Sequence, residues 1–333
     1  MLLSLIIPFF NSEYKSKRLL KTLAKIKQKD IEFILINDGS TDNTFCLLEE
    51  FKVSIPESNV TLINQDNKGP GGARNSGLKI AQGEYVWFVD SDDDITLEAV
   101  NVLRENRDRN YDFVDFNVQS SSKLINSMSI EAGEYTDKEQ MSVMLLNNFG
   151  RIWSKAIRRV FLLDNNIFYP EYCLYEDNPL AFIYPFLVKR FLKTEVVGYV
   201  HNTDFESITR SAPNLRTLDR LYTSIYGLEE GLKLAKSSKD INTLKSKFLV
   251  LYLINTVAKF TSKTPSKNWV TSWKVMKQYR KVAKNLDIDL SPFEYMKPGN
   301  KFKLYFTFHW VLSFLILSDQ TNYFDAIRKK AWK

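Results

Sequence analysis

The stretch NKGPGGARNSGLKIAQGEYVWFVDSDDDI, residues 67–95, joins a glycine-rich segment, a helix-length segment, an apolar strand and a run of carboxylates. The apolar residues end at Val89, and four aspartates with one serine fill positions 90–94. Carboxylates held this close repel one another, and a bound divalent cation such as Mg²⁺ or Mn²⁺ would relieve that repulsion. The alternative is a solvated acidic turn with no ligand. The stretch therefore predicts a buried strand that ends at a functional edge.

The rest of the first half repeats the same alternation of strand and helix. Apolar runs at 2–10, 31–38, 60–65 and 84–90 predict strands, and amphipathic segments at 15–28, 41–51 and 72–82 predict helices. This β-α-β-α order is typical of a mostly parallel central sheet with helices on both faces. Ligands of such α/β sheets bind at the carboxyl ends of the strands.

A polar cluster follows each predicted strand. Asp38 lies in a segment that could equally be a turn and a helix N-cap, and residues 67–72 could be a flexible loop. Gly71, in contrast, would let a ligand approach the backbone at a helix start, where Arg74 adds positive charge. Because the clusters should converge, they predict a site for a nucleotide diphosphate and its metal ion.

Composition limits the class of protein. The chain has 333 residues, of which 44% are hydrophobic, enough for one large core or two modest ones. Its two cysteines, Cys46 and Cys173, form no disulfide framework or metal motif, which suits a reducing compartment. The start MLLSLIIPFFN has no basic leader, so we expect a cytoplasmic protein.

Charge divides the chain unevenly. Residues 201–333 hold 23 of the 46 basic residues but only 11 of the 39 acidic ones. Their apolar residues recur at helical spacing, and Trp and Phe flank basic faces, for example in residues 268–285 and 304–333. An ordinary helical subdomain is one interpretation. Basic amphipathic helices also fit an anionic membrane surface, and paired helices could form a homodimer.

The sequence resembles family 2 glycosyltransferases of the GT-A fold, which move a sugar from a nucleotide sugar to an acceptor. The specific similarity covers SLIIPFFN (4–11), EFILINDGSTDNT (32–44) and residues 67–93, which end in the family's DxD motif. Weaker similarity continues through RIWSKAIRRVFL (151–162), YEDNPLAF (175–182) and YVHNTDFESITR (199–210). The resemblance implies a GT-A catalytic domain at 1–213, followed by a basic, mainly helical region at 214–333.

The resemblance also implies roles for single residues in donor binding. Asp38 would accept the N–H of a uracil ring, which favours UDP over CDP or GDP, and Trp153 would lie near the donor and acceptor sugars. For Phe9 and Phe10, core packing explains one of the two equally well. The residues implied in nucleotide and donor binding, besides Asp38, are Pro8, Phe9, Phe10, Asn11, Asn67, Gly71, Arg74, Asp90, Ser91, Lys155, Ser207, Thr209 and Arg210.

Metal and catalytic residues follow from the same resemblance. Asp92 and Asp90 would bind Mn²⁺ or Mg²⁺, and His201 is a further ligand candidate, although a lone histidine is more often structural. Asp177 would be the general base, with the adjacent Glu176 as its competitor. A helix N-terminus carrying two acids is the alternative explanation of that pair.

Two other classes of function fit the sequence less well. An NAD-binding oxidoreductase would need a GxGxxG turn after the first strand, and PFFNSE (8–13) contains none. A nucleic-acid-binding module would use the basic half, but no recognition motif accompanies those charges, so we expect no nucleic-acid partner.

The resemblance thus implies an inverting, metal-assisted glycosyltransferase. Its partners would be a UDP-sugar and a glycan or lipid-linked acceptor in bacterial surface polysaccharide synthesis, such as capsule, lipopolysaccharide or teichoic acid. We expect it in the cytoplasm, peripheral on the inner face of the membrane.

Overall fold

The computed structural model describes residues 1–204 and 219–248. Within these residues the chain forms two compact units. The first contains 1–172 and 184–204, and the second contains 173–183 and 219–248. Ser207, Thr209, Arg210 and the predicted helices beyond residue 248 lie outside the described residues. The predicted division at residue 213 stays a prediction.

Four parallel strands form one half of the central sheet, as the sequence predicts. Their spatial order is β3-β2-β1-β4, and every neighbouring pair is parallel. β1, β2 and β4 are almost entirely buried, because they lie inside the sheet with helices against them. The strands are β1 (Leu3–Phe9), β2 (Ile31–Asp38), β3 (Asn59–Gln65) and β4 (Tyr85–Phe88).

Helices cover both faces of this parallel half. Gly77 of one helix packs closely on Ile6 and Ile36, where an added Cβ would come within 2.4 Å of the Ile6 side chain. On the other face, Leu48 joins the main core with Phe33 and alternate residues of the strands. The three helices are α1 (Lys17–Leu23), α2 (Thr44–Ser54) and α3 (Gly69–Ile80).

The other half of the sheet is mixed. β9 runs antiparallel between β4 and β6, and β10 then runs parallel to β6. Short strands complete the edges, where β5 and β8 pair with β10 and β7 pairs with β6. These strands are β5 (Asp94–Ile95), β6 (Phe113–Ser120), β7 (Lys123–Ile125), β8 (Gly133–Tyr135), β9 (Lys155–Arg158) and β10 (Phe191–His201). The α/β fold class is confirmed.

The remaining helices are divided between the two units. The first unit holds α4 (Leu97–Glu105), α5 (Lys138–Asn148) and α6 (Arg159–Asp164). The unit boundary falls within α7 (Leu180–Leu187), and the second unit holds α8 (Asp219–Leu234) and α9 (Ser238–Lys247). The predicted helical character is therefore confirmed for 219–247. None of the helices in the described ranges is long and apolar enough to cross a membrane.

Candidate active site

The loops that follow β1, β2 and β4 are joined by hydrogen bonds at the carboxyl edge of the sheet. The Asn11 backbone N–H donates to Ser40 Oγ at 3.0 Å, and the Thr41 N–H donates to Asn11 Oδ1 at 2.8 Å. The hydroxyls of Ser12 and Ser91 lie 3.0 Å apart. Asn11 and Ser91, which come from different strand ends, are therefore brought to the same edge.

Asp38 is buried where β2 meets the start of α3. Its Oδ1 accepts from Gln65 Nε2 at 2.7 Å and from the Lys68 N–H at 2.9 Å. Burial raises the pKa of the Asp38 carboxyl, and these hydrogen bonds oppose that rise. Gly39 has φ +73°, and a Cβ there would lie 2.7 Å from the Asn67 nitrogen, so glycine is required.

The predicted donor residues around Asp38 differ in exposure. Phe9 is fully buried in the core, whereas Phe10 is 44% exposed at the edge and Pro8 is half-buried. Core packing thus explains the Phe9 side chain. Asn67 accepts the Gly69 N–H through its side chain at 3.0 Å, and Gly71 lies buried in the first turn of α3.

Two of the four clustered carboxylates remain open at the edge. Asp90 is 37% exposed on its side chain and accepts from Arg74 Nη2 at 2.8 Å, while the Arg74 side chain is 6% exposed. Asp92 is half-buried. Burial raises the pKa of the Asp92 carboxyl, and the negative charge of Asp90 raises it further. A positive charge close to Asp90 and Asp92 would therefore stabilise their ionised forms.

The other two carboxylates of the run serve the fold. Asp93 accepts from the Tyr199 hydroxyl and from the Asn202 N–H, both at 2.7 Å. Burial, followed by the charge of Asp90, raises the pKa of Asp93 to about 7. Asp94 pairs with Arg18 Nε at 2.9 Å. The acidic turn, residues 90–94, is thus anchored through Asp93 and Asp94, and it presents Asp90 and Asp92.

Trp153 and His201 stand beside the acidic turn. The Trp153 ring stacks on Tyr199 and His201, with centroid distances of 4.5 Å and 5.7 Å. His201 Nδ1 lies 3.0 Å from Ser120 Oγ. The charge of His201 favours the ionised form of Asp92, so the two side chains share one electrostatic environment.

The donor atoms at this edge suit a hard divalent cation. No cluster of three or more His, Cys, Asp or Glu side chains with metal-site geometry occurs among residues 1–204 and 219–248. Mg²⁺-type ions are commonly held by one or two carboxylates together with substrate phosphates and water. Asp90 and Asp92 fit that mode of binding, in which the diphosphate completes the ligand set.

Lys155 does not reach this edge as a free cation. It is fully buried, and its Nζ donates to Asp115 Oδ1 at 2.8 Å and to the Arg151 carbonyl at 3.0 Å. Lys193 Nζ lies 3.2 Å from the other oxygen of Asp115. That Lys155 contacts the donor stays a prediction; in this structure its ammonium group has no open surface and neutralises a buried carboxylate.

The two candidate general bases, Glu176 and Asp177, lie in the second unit. Glu176 is buried and Asp177 is half-buried, in a turn that follows Tyr175, whose φ is +60°. Asp219 Oδ2 accepts the Leu174 N–H at 3.0 Å, and Asn178 Nδ2 donates to Thr223 Oγ1 at 3.1 Å. Helix α8 therefore fixes both ends of this turn.

Sequence reasoning missed the residues that support the site. Tyr199 and Asn202 hold the acidic turn, Asp115 neutralises Lys155, and Asp219 with Thr223 anchors the turn at 175–178. Each acts across a large sequence separation, so a local pattern does not identify its partner, even for Tyr199 and Asn202, which lie in the segment 199–210 that resembles the family. Asp219 and Asp115 are, however, acidic residues within apolar helix or strand patterns, and that conflict is a usable sign of a buried polar contact.

Replacing Tyr199 with phenylalanine tests the anchor of the acidic turn. Tyr199→Phe leaves Asp93 Oδ2 and the Asp90 N–H without this partner, so we expect a loss of about 1–3 kcal/mol in the free energy of unfolding. The matched control is Tyr184→Phe, because the buried Tyr184 hydroxyl has no hydrogen-bond partner in the described part of the chain. Urea unfolding of both variants gives the values, and equal stability of the two would contradict the anchoring role.

Comparisons with known proteins agree with this geometry. The sequence profile described as Glycosyl transferase family 2 matches residues 4–166. A cholesterol galactosyltransferase of Borreliella burgdorferi is 30% identical over 273 residues, which cover 75% of this chain and 72% of that protein. The poly(ribitol-phosphate) beta-N-acetylglucosaminyltransferase TarS of Staphylococcus aureus is 32% identical over 174 residues, or 50% of this chain, and only 29% of its own length is covered.

A solved structure shows the same fold. The crystal structure of S. aureus TarS 1–349 in complex with UDP-GlcNAc has a TM-score of 0.64 and 22% sequence identity, and the match covers 86% of this chain and 83% of that one. Fold, profile and the extended similarity to the Borreliella protein all agree. The chain therefore belongs to glycosyl transferase family 2 and is a glycosyltransferase with the GT-A fold.

Proposed function

We propose that this glycosyltransferase moves a sugar from a UDP-sugar to a hydroxyl group of a glycan or lipid-linked acceptor in bacterial surface polysaccharide synthesis. One observation carries the proposal. The buried Asp38 lies at the carboxyl end of β2, and Asp90, the half-open Asp92 and the Arg74–Asp90 ion pair lie at the carboxyl end of β4, on the other side of β1. That edge is where α/β sheets bind nucleotides.

The nucleoside end of the donor would lie against Asp38. A carboxylate there can accept the N3–H of uracil, and the exposed Phe10 ring offers an apolar surface for the base. The backbone around Asn67 and Gly71, at the start of α3, can approach the phosphates because positive backbone dipole points outward there. Asn11 and Ser91, in the loops after β1 and β4, would contact the donor between these two ends.

The diphosphate end would meet Asp90 and Asp92. These carboxylates would hold Mn²⁺ or Mg²⁺ jointly with the phosphate oxygens, and such an ion supplies Lewis-acid stabilisation of the departing diphosphate. His201 remains a further candidate ligand. Arg74 keeps Asp90 oriented through their 2.8 Å ion pair. Ser207, Thr209 and Arg210 would add hydroxyl and cationic contacts to the diphosphate.

Asp177 would remove the proton from the acceptor hydroxyl as it attacks. A single displacement inverts the anomeric centre and needs one base and no covalent nucleophile. Asp177 is the first choice because its side chain is half-buried, whereas that of Glu176 is 6% exposed. Trp153 would line the sugar pocket beside the acidic turn.

The relatives suggest where to begin with donors and acceptors. TarS is named for N-acetylglucosamine transfer and was solved with UDP-GlcNAc, and the Borreliella protein is named for galactose transfer to cholesterol. UDP-GlcNAc, UDP-galactose and UDP-glucose are therefore the first donors to test. The basic segments beyond residue 248 would bring the enzyme to the anionic inner face of the membrane, where lipid-linked acceptors lie.

Calorimetric titration with UDP, in Mn²⁺ and in excess chelator, tests the proposal. We expect metal-dependent binding of UDP and none of CDP or NAD. Asp92→Ala should weaken UDP binding in Mn²⁺ at least about tenfold, since one charged ligand contact is worth roughly 1.5–3 kcal/mol. Asp108→Ala, at an exposed residue of the loop after α4, is the matched control. Unchanged metal dependence in Asp92→Ala would rule out the metal role of Asp92.

A further inference from the structure

Arg151 is a cation at the same edge of the sheet that the family resemblance does not assign to the site. β9 runs antiparallel to β4 and pairs Ala156 with Trp87. Residues just before β9 therefore lie at the edge where β4 ends, next to the acidic turn. Arg151 is exposed there, and none of the described carboxylates forms an ion pair with it.

The guanidinium group of Arg151 is held in place by an aromatic ring. Its Cζ lies over the Trp153 ring, 5.4 Å from the centroid. Trp153 in turn stacks on Tyr199 and His201, the residues that contact the acidic turn and its surroundings. A guanidinium group that lies over an aromatic ring can direct its N–H donors away from the ring, which suits bidentate binding of an anion.

The backbone under Arg151 is fixed as well. Its carbonyl accepts from Ser154 Oγ at 2.8 Å and from the buried Lys155 Nζ at 3.0 Å. The Trp153 carbonyl accepts from Trp87 Nε1 at 2.7 Å. An exposed arginine on so constrained a segment loses less conformational entropy on binding than an ordinary surface arginine does.

We propose that Arg151 binds a phosphate group of a substrate at this edge of the sheet. The inference rests on the proposed function and specifies one residue of that site. The phosphate could belong to the donor diphosphate or to a phosphate-bearing acceptor, because the chemistry of recognition is the same for both. Planar guanidinium donors match phosphate oxygens in either case.

Calorimetry on the full chain tests the proposal with two probes. UDP is titrated in Mn²⁺, and inorganic phosphate is titrated into the protein with and without saturating UDP. Arg151→Gln should weaken at least one of these affinities roughly 10- to 100-fold, as expected for loss of a charged hydrogen-bonding partner. The matched control is Arg109→Gln. Arg109 is an exposed arginine that precedes β6, at the end of the sheet where β4 begins rather than where it ends.

The outcomes separate the two sources of phosphate. Weaker UDP binding assigns Arg151 to the donor diphosphate, and weaker phosphate binding with UDP affinity unchanged assigns it to the acceptor. Affinities equal to those of Arg109→Gln in every titration overturn the proposal. Failure of the wild-type protein to bind UDP would contradict the proposed function, while the phosphate titration of UDP-free protein still tests Arg151.

Discussion

Asp115→Ala is expected to lower the free energy of unfolding by about 3–5 kcal/mol, the loss typical of breaking a buried ion pair. Asp115 is fully buried, and both Lys155 and Lys193 form ion pairs with it, at 2.8 Å and 3.2 Å. Ser127 and Ser154 donate to the same carboxylate. Its removal leaves two buried ammonium groups without their counter-charge.

An exposed ion pair provides the control for this variant. Asp30 pairs with Arg104 at 3.0 Å, and both side chains are about two-fifths exposed. Asp30→Ala should therefore cost no more than about 1 kcal/mol. Urea unfolding followed by circular dichroism measures both variants. If the free energy of unfolding of Asp115→Ala lies within about 1 kcal/mol of the wild-type value, the two lysines either bind other partners or become neutral at little energetic cost.

Asp177→Asn is expected to lower kcat for sugar transfer by about 10²- to 10⁴-fold while UDP affinity stays unchanged. The amide keeps the shape of the side chain but cannot take the acceptor proton. The turn has two supports that do not involve Asp177, the hydrogen bonds from Leu174 to Asp219 and from Asn178 to Thr223. The variant should therefore fold as the wild type does.

Two further variants complete this test. Glu176→Gln distinguishes the adjacent acids, and Glu229→Gln, at an exposed position of α8 in the same unit, controls for loss of one negative charge. UDP release from the donor that the wild type uses is the measurement. If Asp177→Asn retains near wild-type transfer and Glu176→Gln loses it, the buried acid is the base.

The parallel half of the fold could be predicted because its signals are local. β1, β2 and β4 are short apolar runs, and their polar ends follow at once in the sequence. β6, β9 and β10 pair across long separations, so their order could not be predicted from periodicity. For the same reason Lys155 looked like an available cation, because its partner Asp115 lies 40 positions earlier in the chain.

The second unit shows a similar limit. The segment 173–183 carries the two candidate bases, and the sequence places it inside the predicted catalytic domain. In the structure this segment packs with later helices, where a Cβ on Gly227 would come within 2.6 Å of Pro179 and one on Gly231 within 2.8 Å of the Phe182 carbonyl. Close packing of this kind depends on three-dimensional shape, and a glycine in a helical pattern gives only a weak sign of it.

The hydrogen bonds from Tyr199 and Asn202 to the acidic turn have a consequence for how such enzymes change over evolutionary time. The Tyr199 hydroxyl donates to the Asp93 carboxylate, and the Asn202 side-chain amide donates to the Asp92 carbonyl, in both cases more than one hundred positions earlier in the chain. A substitution at either residue would alter the placement of Asp90 and Asp92 without touching any ligand. Natural selection acting on the acidic turn must therefore also constrain Tyr199, near the end of β10, and Asn202, just after it.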